Sequence, residues 1–178
     1  FIAVDGGEGG TGAAPLEFSN HVGSPGIESL IFVHNALTGF SLRQHIRLIG
    51  SGKVTTGFGM IKRLALGADL VYSARAMMFA LGCIHALRCN TNKCPTGVTT
   101  QNPYLVAGLV VEDKRKRVAM YHHETVKSVA ELLGAMGLQR VKDLQPWQIV
   151  RRVSNTETKS YAQIFEYLHN GDLLQGDI

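Results

Sequence analysis

The stretch VDGGEGGTGAAP, residues 4–15, follows FIA at the start of the chain and carries five glycines between Gly6 and Gly12. Gly7, Gly9 and Gly12 fit G-x-G-x-x-G, the pattern of a dinucleotide-binding turn. That turn needs its third glycine at the start of a helix, and an acidic residue about 20 positions on to hold a ribose. Here Pro15 and Pro25 intervene before a strong helical pattern, and residues 32–36 read FVHNA inside that pattern. Both contextual requirements fail. The alternative is a glycine loop at the C-terminal end of a barrel strand, where the backbone can approach a flat ligand and Asp5 faces it. A glycine-rich turn with no ligand is the plain alternative.

Outward from this loop the chain alternates strand and helix. FIAV is a short apolar run meeting a glycine loop. Residues 27–40, IESLIFVHNALTGF, show helical spacing, with Gly39 as a C-cap candidate. IRLI (46–49) is strand-like and runs into Gly50–Ser51–Gly52. TTGFGMIKRLALGAD (55–69) offers Thr56 as N-cap and Met60, Ile61, Leu64 and Ala65 as an apolar face. LVYSAR (70–75) is a third strand. Strands alternating with helices imply a parallel sheet with right-handed crossovers. Three strands cannot cover both faces of such a sheet, so the rest is expected from sequence outside this chain or from another copy.

The fold class expected is α/β: the C-terminal part of a (β/α)8 TIM barrel with about three parallel strands, then an irregular Cys-rich loop and a helical tail. The corresponding divisions are residues 1–80, 81–102 and 103–178. In such barrels a phosphate sits where the loops after the last two strands meet, held by main-chain amides. Gly50, Ser51 and Gly52 follow the second strand; Ser73, Ala74 and Arg75 follow the third. Arg75 could add a charge-assisted contact, and Lys53 another. Farther on, Val118, Tyr121, His122, Val126, Val129, Leu132, Leu133 and Met136 make one helical face closed by Gly137. VKDLQPWQIV (141–150) and SYAQIFEYL (160–168) read as short helices joined by the polar RRVSNTETK.

Composition agrees with a single α/β domain. The chain has 178 residues, 45% hydrophobic and 18% charged, the latter below the ~25% of ordinary soluble domains. Its net charge of +4 suits a pocket for an anionic cofactor. Lys and Arg do not interleave with aromatics, so a nucleic-acid partner is not expected, and EDKRKR (112–117) reads as a solvated helix start. No apolar run approaches the ~18 residues of a membrane span, no membrane partner is expected, and no targeting signal is visible in these residues. Three Cys, an odd number, argue for a reducing, cytoplasmic setting rather than a disulfide framework. The start inside a strand reads as a piece of a longer polypeptide.

Those cysteines are Cys83, Cys89 and Cys94 in GCIHALRCNTNKCPTGVTTQ (82–101), a C-x5-C-x4-C spacing with Pro95 after the last. Thiolates so spaced on one loop can ligate a compact cluster with three ligated irons. Zinc with His85 as a fourth ligand, or three reduced thiols packed as small hydrophobes, remain alternatives.

DGGEGGTGAAP, IGSGKVTTG, GADLVYSARAMM and the Cys block with CP-x-GV-x-TQ together resemble the C-terminal half of the FMN-binding synthase domain of glutamate synthases, closest to the single-domain type. The likeness runs through ELLGAMGLQRVKDL (131–144), over nearly the whole chain. It implies a (β/α)8 barrel carrying FMN and a 3Fe-4S cluster bound by Cys83, Cys89 and Cys94. It implies an oxidoreductase that reduces the imine of 2-oxoglutarate and ammonia to L-glutamate, with glutamine as an ammonia source and an electron-donor protein or subunit. Carried over by motif, Gly50, Ser51, Gly52, Ser73, Ala74 and Arg75 become FMN-phosphate candidates, and Asp5, Gly6 and Gly7 line the flavin side. Catalytic residues are not assigned. The family loop often reads DGQLKTGRD where this chain has SGKVTTGFG, and Glu8–Gly9 stand as an insertion relative to the commoner HDGGTGASP. An FMN barrel with another substrate and a non-catalytic assembly subunit are the competing readings. An unclosed sheet would expose its edges, so a homo-oligomer or association with the rest of the barrel is expected.

Overall fold

The computed structural model describes residues 1–8 and 15–176. Gly9 and Gly12 of the glycine pattern lie outside the described residues. Strand β1 (Ile2–Val4) enters the glycine loop, and a short helix α1 (Leu16–His21) follows Pro15. Helix α2 (Gly26–Gly39) leads to strand β2 (Leu48–Gly50). Helix α3 (Gly57–Ala65) leads to strand β3 (Leu70–Val71). The sheet order is β1-β2-β3, parallel throughout, with Ile2 opposite Leu48 and Ile49 opposite Leu70. Two β-α-β crossovers are thus present in the order that the alternating apolar pattern implies.

Each helix boundary has a local cause. Thr56 caps α3 as its sequence suggested, its Oγ1 accepting the Gly59 amide at 3.1 Å. Chain reversal after α3 uses Gly67 at φ 114°, where an added Cβ would stand 2.4 Å from His34 Nδ1. Gly39 is the last residue of α2 and Phe40 the cap.

The third strand is shorter than LVYSAR suggested. It ends at Val71, and helix α4 (Arg75–Leu81) begins at Arg75, closed by Gly82 at φ 109°. After the irregular Cys segment come α5 (Pro103–Val106) and the long α6 (Val111–Ala135), which packs on α3 and α4. Its EDKRKR turn is mostly solvated, with Arg115 bonded to Glu112 at 2.8 Å, although Lys114 folds back and keeps little exposure. Val129, Leu132, Leu133 and Met136 pack on the core as expected, whereas Val126 is exposed.

Past α6 the expected short helices are mostly other structures. Val141–Asp143 and Pro146–Gln148 are single 3-10 turns. The polar joining segment is an antiparallel hairpin of β4 (Val150–Arg152) and β5 (Thr158–Ser160), and α7 (Tyr161–Ile164) is one turn. Both hairpin strands lie largely in solvent, so no alternation of apolar residues marks them in the sequence.

One core joins these parts. Leu30, Leu48, Ile61 and Leu66 are fully enclosed, and Leu144, Ile149 and Tyr161 of the tail belong to the same cluster. Each such side chain contributes roughly 1.5–3 kcal/mol by leaving water. Lys62 also lies 5.5 Å over the Tyr161 ring, fixing the tail against α3. At the opening end of the sheet Asp69 receives the Leu48 amide at 2.8 Å and the Arg43 guanidinium at 2.9 Å. All three residues of β2 are buried, while Ile2 of β1, Leu70 of β3 and the flanking Phe1 and Tyr72 are exposed. No helix among the described residues is long and apolar enough to cross a membrane.

Candidate functional site at the strand ends

The C-terminal ends of all three parallel strands open onto one cavity of about 520 Å³. Asp5 comes from the end of β1, Ser51, Gly52 and Lys53 from the loop after β2, and Ser73, Ala74 and Arg75 from the segment after β3. Six of the nine sequence-derived candidates therefore share one wall. Gly6, Gly7 and Gly50 are not among its lining residues. Gly50 is the last residue of β2, and a Cβ there would meet Ala68 Cβ at 3.3 Å and Arg63 Cβ at 3.4 Å.

The loop after β2 is held from below. Arg63 on α3 donates from Nε to the Ser51 carbonyl at 2.8 Å, from Nη1 to Gly59 O at 3.2 Å, and from Nη2 to Gly52 O. Ser51 N donates to Val4 O at 3.0 Å, and Ser73 Oγ donates to Val54 O at 2.8 Å. Three strand ends are thereby tied to one loop. Burial pulls the Arg63 pKa below its usual value, and the charge of Glu8 opposes that shift. Gly52 (φ 85°) and Lys53 (φ 48°) take consecutive left-handed conformations, and a Cβ on Gly52 would stand 2.9 Å from Asp5 O. Glycine is required at 52 by both the backbone angle and the close approach of the β1 loop.

Sequence reasoning passed over Arg63 and Glu8. Arg63 sits among Met60, Ile61 and Leu64, where its hydrocarbon stem reads as amphipathic helix surface. Tyr72, Val54 and Thr55 also line the cavity. Lys53 and Arg75 line the cavity beside Ser51 and strand-end backbone, a donor set that suits an anionic group. The volume lies within the roughly 300–1,000 Å³ of cofactor pockets.

The cysteines occupy the irregular segment after α4. Cys94 is buried, Cys83 half-buried and Cys89 exposed. The Cys94 sulfur lies 3.4 Å from Thr96 Oγ1, and amides of Thr99, Thr96 and Val98 add further stabilisation. These bonds, led by that of Thr96, pull its thiol down to about 6 against the opposing effect of burial. Cys83 Sγ accepts the His85 amide at 3.4 Å. Such N–H···S bonds suit thiolate ligands. The three sulfurs do not converge: among the described residues no three Cys, His, Asp or Glu side chains form a metal-binding group. Donor chemistry, not assembled geometry, is what fits a cluster here.

Residues 1–139 match the family described as a conserved region in glutamate synthase. The chain is 44% identical over 138 residues to the glutamate synthase large subunit-like protein YerD of Bacillus subtilis, covering 78% of this chain and 26% of that protein. It is 40% identical over 144 residues to the archaeal glutamate synthase (NADPH) of Methanocaldococcus jannaschii, covering 81% and 28%. Against the ferredoxin-dependent glutamate synthase of Antithamnion sp. it is 35% identical over 157 residues, covering 81% and 10%. The chain thus spans little more than a quarter of the first two relatives. With a strand-end cavity shared by three consecutive loops and a match running unbroken from β1 to the end of the long helix, this chain belongs to the glutamate synthase family.

Proposed function

We propose that this chain is the C-terminal part of a flavin-dependent glutamate-synthase-type oxidoreductase, and that its strand-end cavity holds the phosphate end of FMN. One observation carries this reading: loops after β1, β2 and β3 converge on a single cavity with Lys53 and Arg75 at its wall. In parallel α/β proteins, ligands sit at the carboxyl ends of the strands. A phosphate there gains charge-assisted bonds from both cations. Ser51 contributes polar contact, and Asp5 stands at the end of β1, on the side where the ring would lie.

When bound, FMN supplies the reducing equivalents that convert the imine of 2-oxoglutarate and ammonia to L-glutamate. The chain's own residues orient it. Arg63 fixes the Ser51 and Gly52 carbonyls toward α3, so this loop cannot collapse into the cavity. Cys83, Cys89 and Cys94 are the residues whose thiolates would hold a 3Fe-4S cluster if their segment drew the three sulfurs together, and such a cluster would supply a relay for electrons from a donor protein or subunit. Cys94 is prepared for that role by its hydrogen bonds. The exposed edges β1 and β3 are the places where further strands complete a (β/α)8 barrel, from the longer polypeptide or from another copy.

Absorption spectroscopy of anaerobically purified full-length protein tests this reading. Flavin bands over a broad iron–sulfur envelope, with glutamate formed from 2-oxoglutarate and ammonia under reducing conditions, are expected. Flavin without glutamate formation would indicate a different substrate, and absence of flavin would remove the proposal.

A further inference from the structure

Four carbonyls of the loop after β2 are each held by a side chain. Arg63 takes those of Ser51 and Gly52, and Ser73 Oγ donates to Val54 O at 2.8 Å. The fourth, Thr55 O, accepts the Tyr121 hydroxyl at 2.7 Å, from a residue 66 positions along the chain. A trans peptide unit is planar, so each fastened carbonyl turns the N–H of the next residue to the opposite side. Among the described residues none of the amides of Gly52, Lys53, Val54 and Thr55 donates within the protein. All four of these residues line the cavity. The β1 loop is fastened separately, by Glu8, which accepts the Gly26 amide at 2.9 and 2.8 Å.

We infer that Tyr121 is a positioning residue for the anion-binding loop, and this rests on the flavin reading given above. Lys53 stands at φ 48°, a left-handed backbone that a lysine avoids unless its neighbours impose it. Arg63 fixes the chain just before Lys53, and Ser73 and Tyr121 fix it just after. Among these anchors only Tyr121 comes from α6, the helix that packs on both α3 and α4. Its own backbone is tied to the next turn, where the buried Thr125 hydroxyl donates to Tyr121 O at 2.7 Å. Tyr121 is not among the residues lining the cavity, so its effect passes through the Thr55 carbonyl. Without that bond the segment 53–55 relaxes, and an anion binds only to the fraction of molecules that keep the strained arrangement.

The test compares FMN with riboflavin, which has the same ring system and no phosphate. Full-length protein is stripped of flavin and titrated with each by fluorescence, as wild type and as Tyr121→Phe. That substitution removes one hydroxyl and keeps the ring on its helix. Wild type should favour FMN. Tyr121→Phe should weaken FMN roughly three- to tenfold, the scale of one net hydrogen bond, and leave riboflavin unchanged. A merely structural role would move both flavins together. Equal weakening of both, or of neither, would overturn the role of Tyr121 and leave the cavity reading standing. A wild-type protein that binds riboflavin as tightly as FMN would overturn the phosphate site and this proposal with it.

Discussion

Cys94 shows how a single side chain is prepared by its neighbours. Its thiol sits among the Thr96 hydroxyl and the amides that follow Pro95, and these pull its pKa to about 6. The thiolate is therefore the dominant form at neutral pH, the state that metal ligation needs. Replacing Thr96 by Val removes the largest of those contributions. In metal-free protein, thiolate absorbance followed against pH should then place the Cys94 titration nearer the ordinary thiol value. A titration unmoved by Thr96→Val would assign the shift elsewhere. Glycines at 6, 52 and 67 are set by the same kind of local demand: each has a positive φ and a neighbour within 3 Å of the missing Cβ.

Among the elements, α3 does the most to position the cavity, since it carries Arg63 and rests on α6. At that crossing Gly57 lets the helices close: a Cβ there would lie 2.8 Å from Ser128 Oγ and 3.1 Å from Val129 N. Gly57→Ala should destabilise the protein by about 1–3 kcal/mol through overpacking, read from urea denaturation. Combined with Ser128→Gly, the loss should be smaller than the sum of the two single changes, because the same space is then released. Strict additivity would mean that the helices meet elsewhere.

The elements also show what the sequence could and could not reveal. The period of Met60, Ile61, Leu64 and Ala65 and the Thr56 cap located α3, because burial there follows a helical stripe. LVYSAR was too long as a strand, because the turn at Tyr72–Ala74 offers no Gly or Pro to mark it. The β4–β5 hairpin escaped notice since its residues are polar and exposed on both faces. That the loops after the three strands face one cavity was legible from their spacing. Arg63 and Glu8 were not, because their roles depend on partners that only the folded chain brings near, 12 and 18 residues away.

At the scale of the molecule, the sheet's opening end and its cavity end are secured by different chemistry. The cavity end uses glycine contacts and Arg63; the opening end uses Arg43, Asp69 and His34. Arg43 donates from Nε to His34 Nδ1 at 3.2 Å and from Nη2 to the Gly67 carbonyl at 2.8 Å. His34 also meets the Tyr167 ring edge-on at 6.2 Å, joining α2 to the tail. Burial first, then the Arg43 charge, holds the His34 pKa below its unfolded value of 6.5. Above that value the imidazole is neutral in both states and its packing is fully retained. As pH falls, the unfolded chain takes up the proton first, so stability declines until pH passes the lower folded value. Urea midpoints measured at about pH 7.5 and about pH 5 should therefore fall less in His34→Gln than in wild type. An equal fall in both would show that His34 does not carry that part of the acid sensitivity.

The central claim is that three strand-end loops hold the phosphate of a flavin. The most direct measurement is a crystal structure of the full-length protein loaded with FMN. The account predicts the phosphate within hydrogen-bond reach of the Ser51–Lys53 loop and of Arg75, with the ring system on the Asp5 side. A flavin bound with its phosphate away from these loops would contradict it.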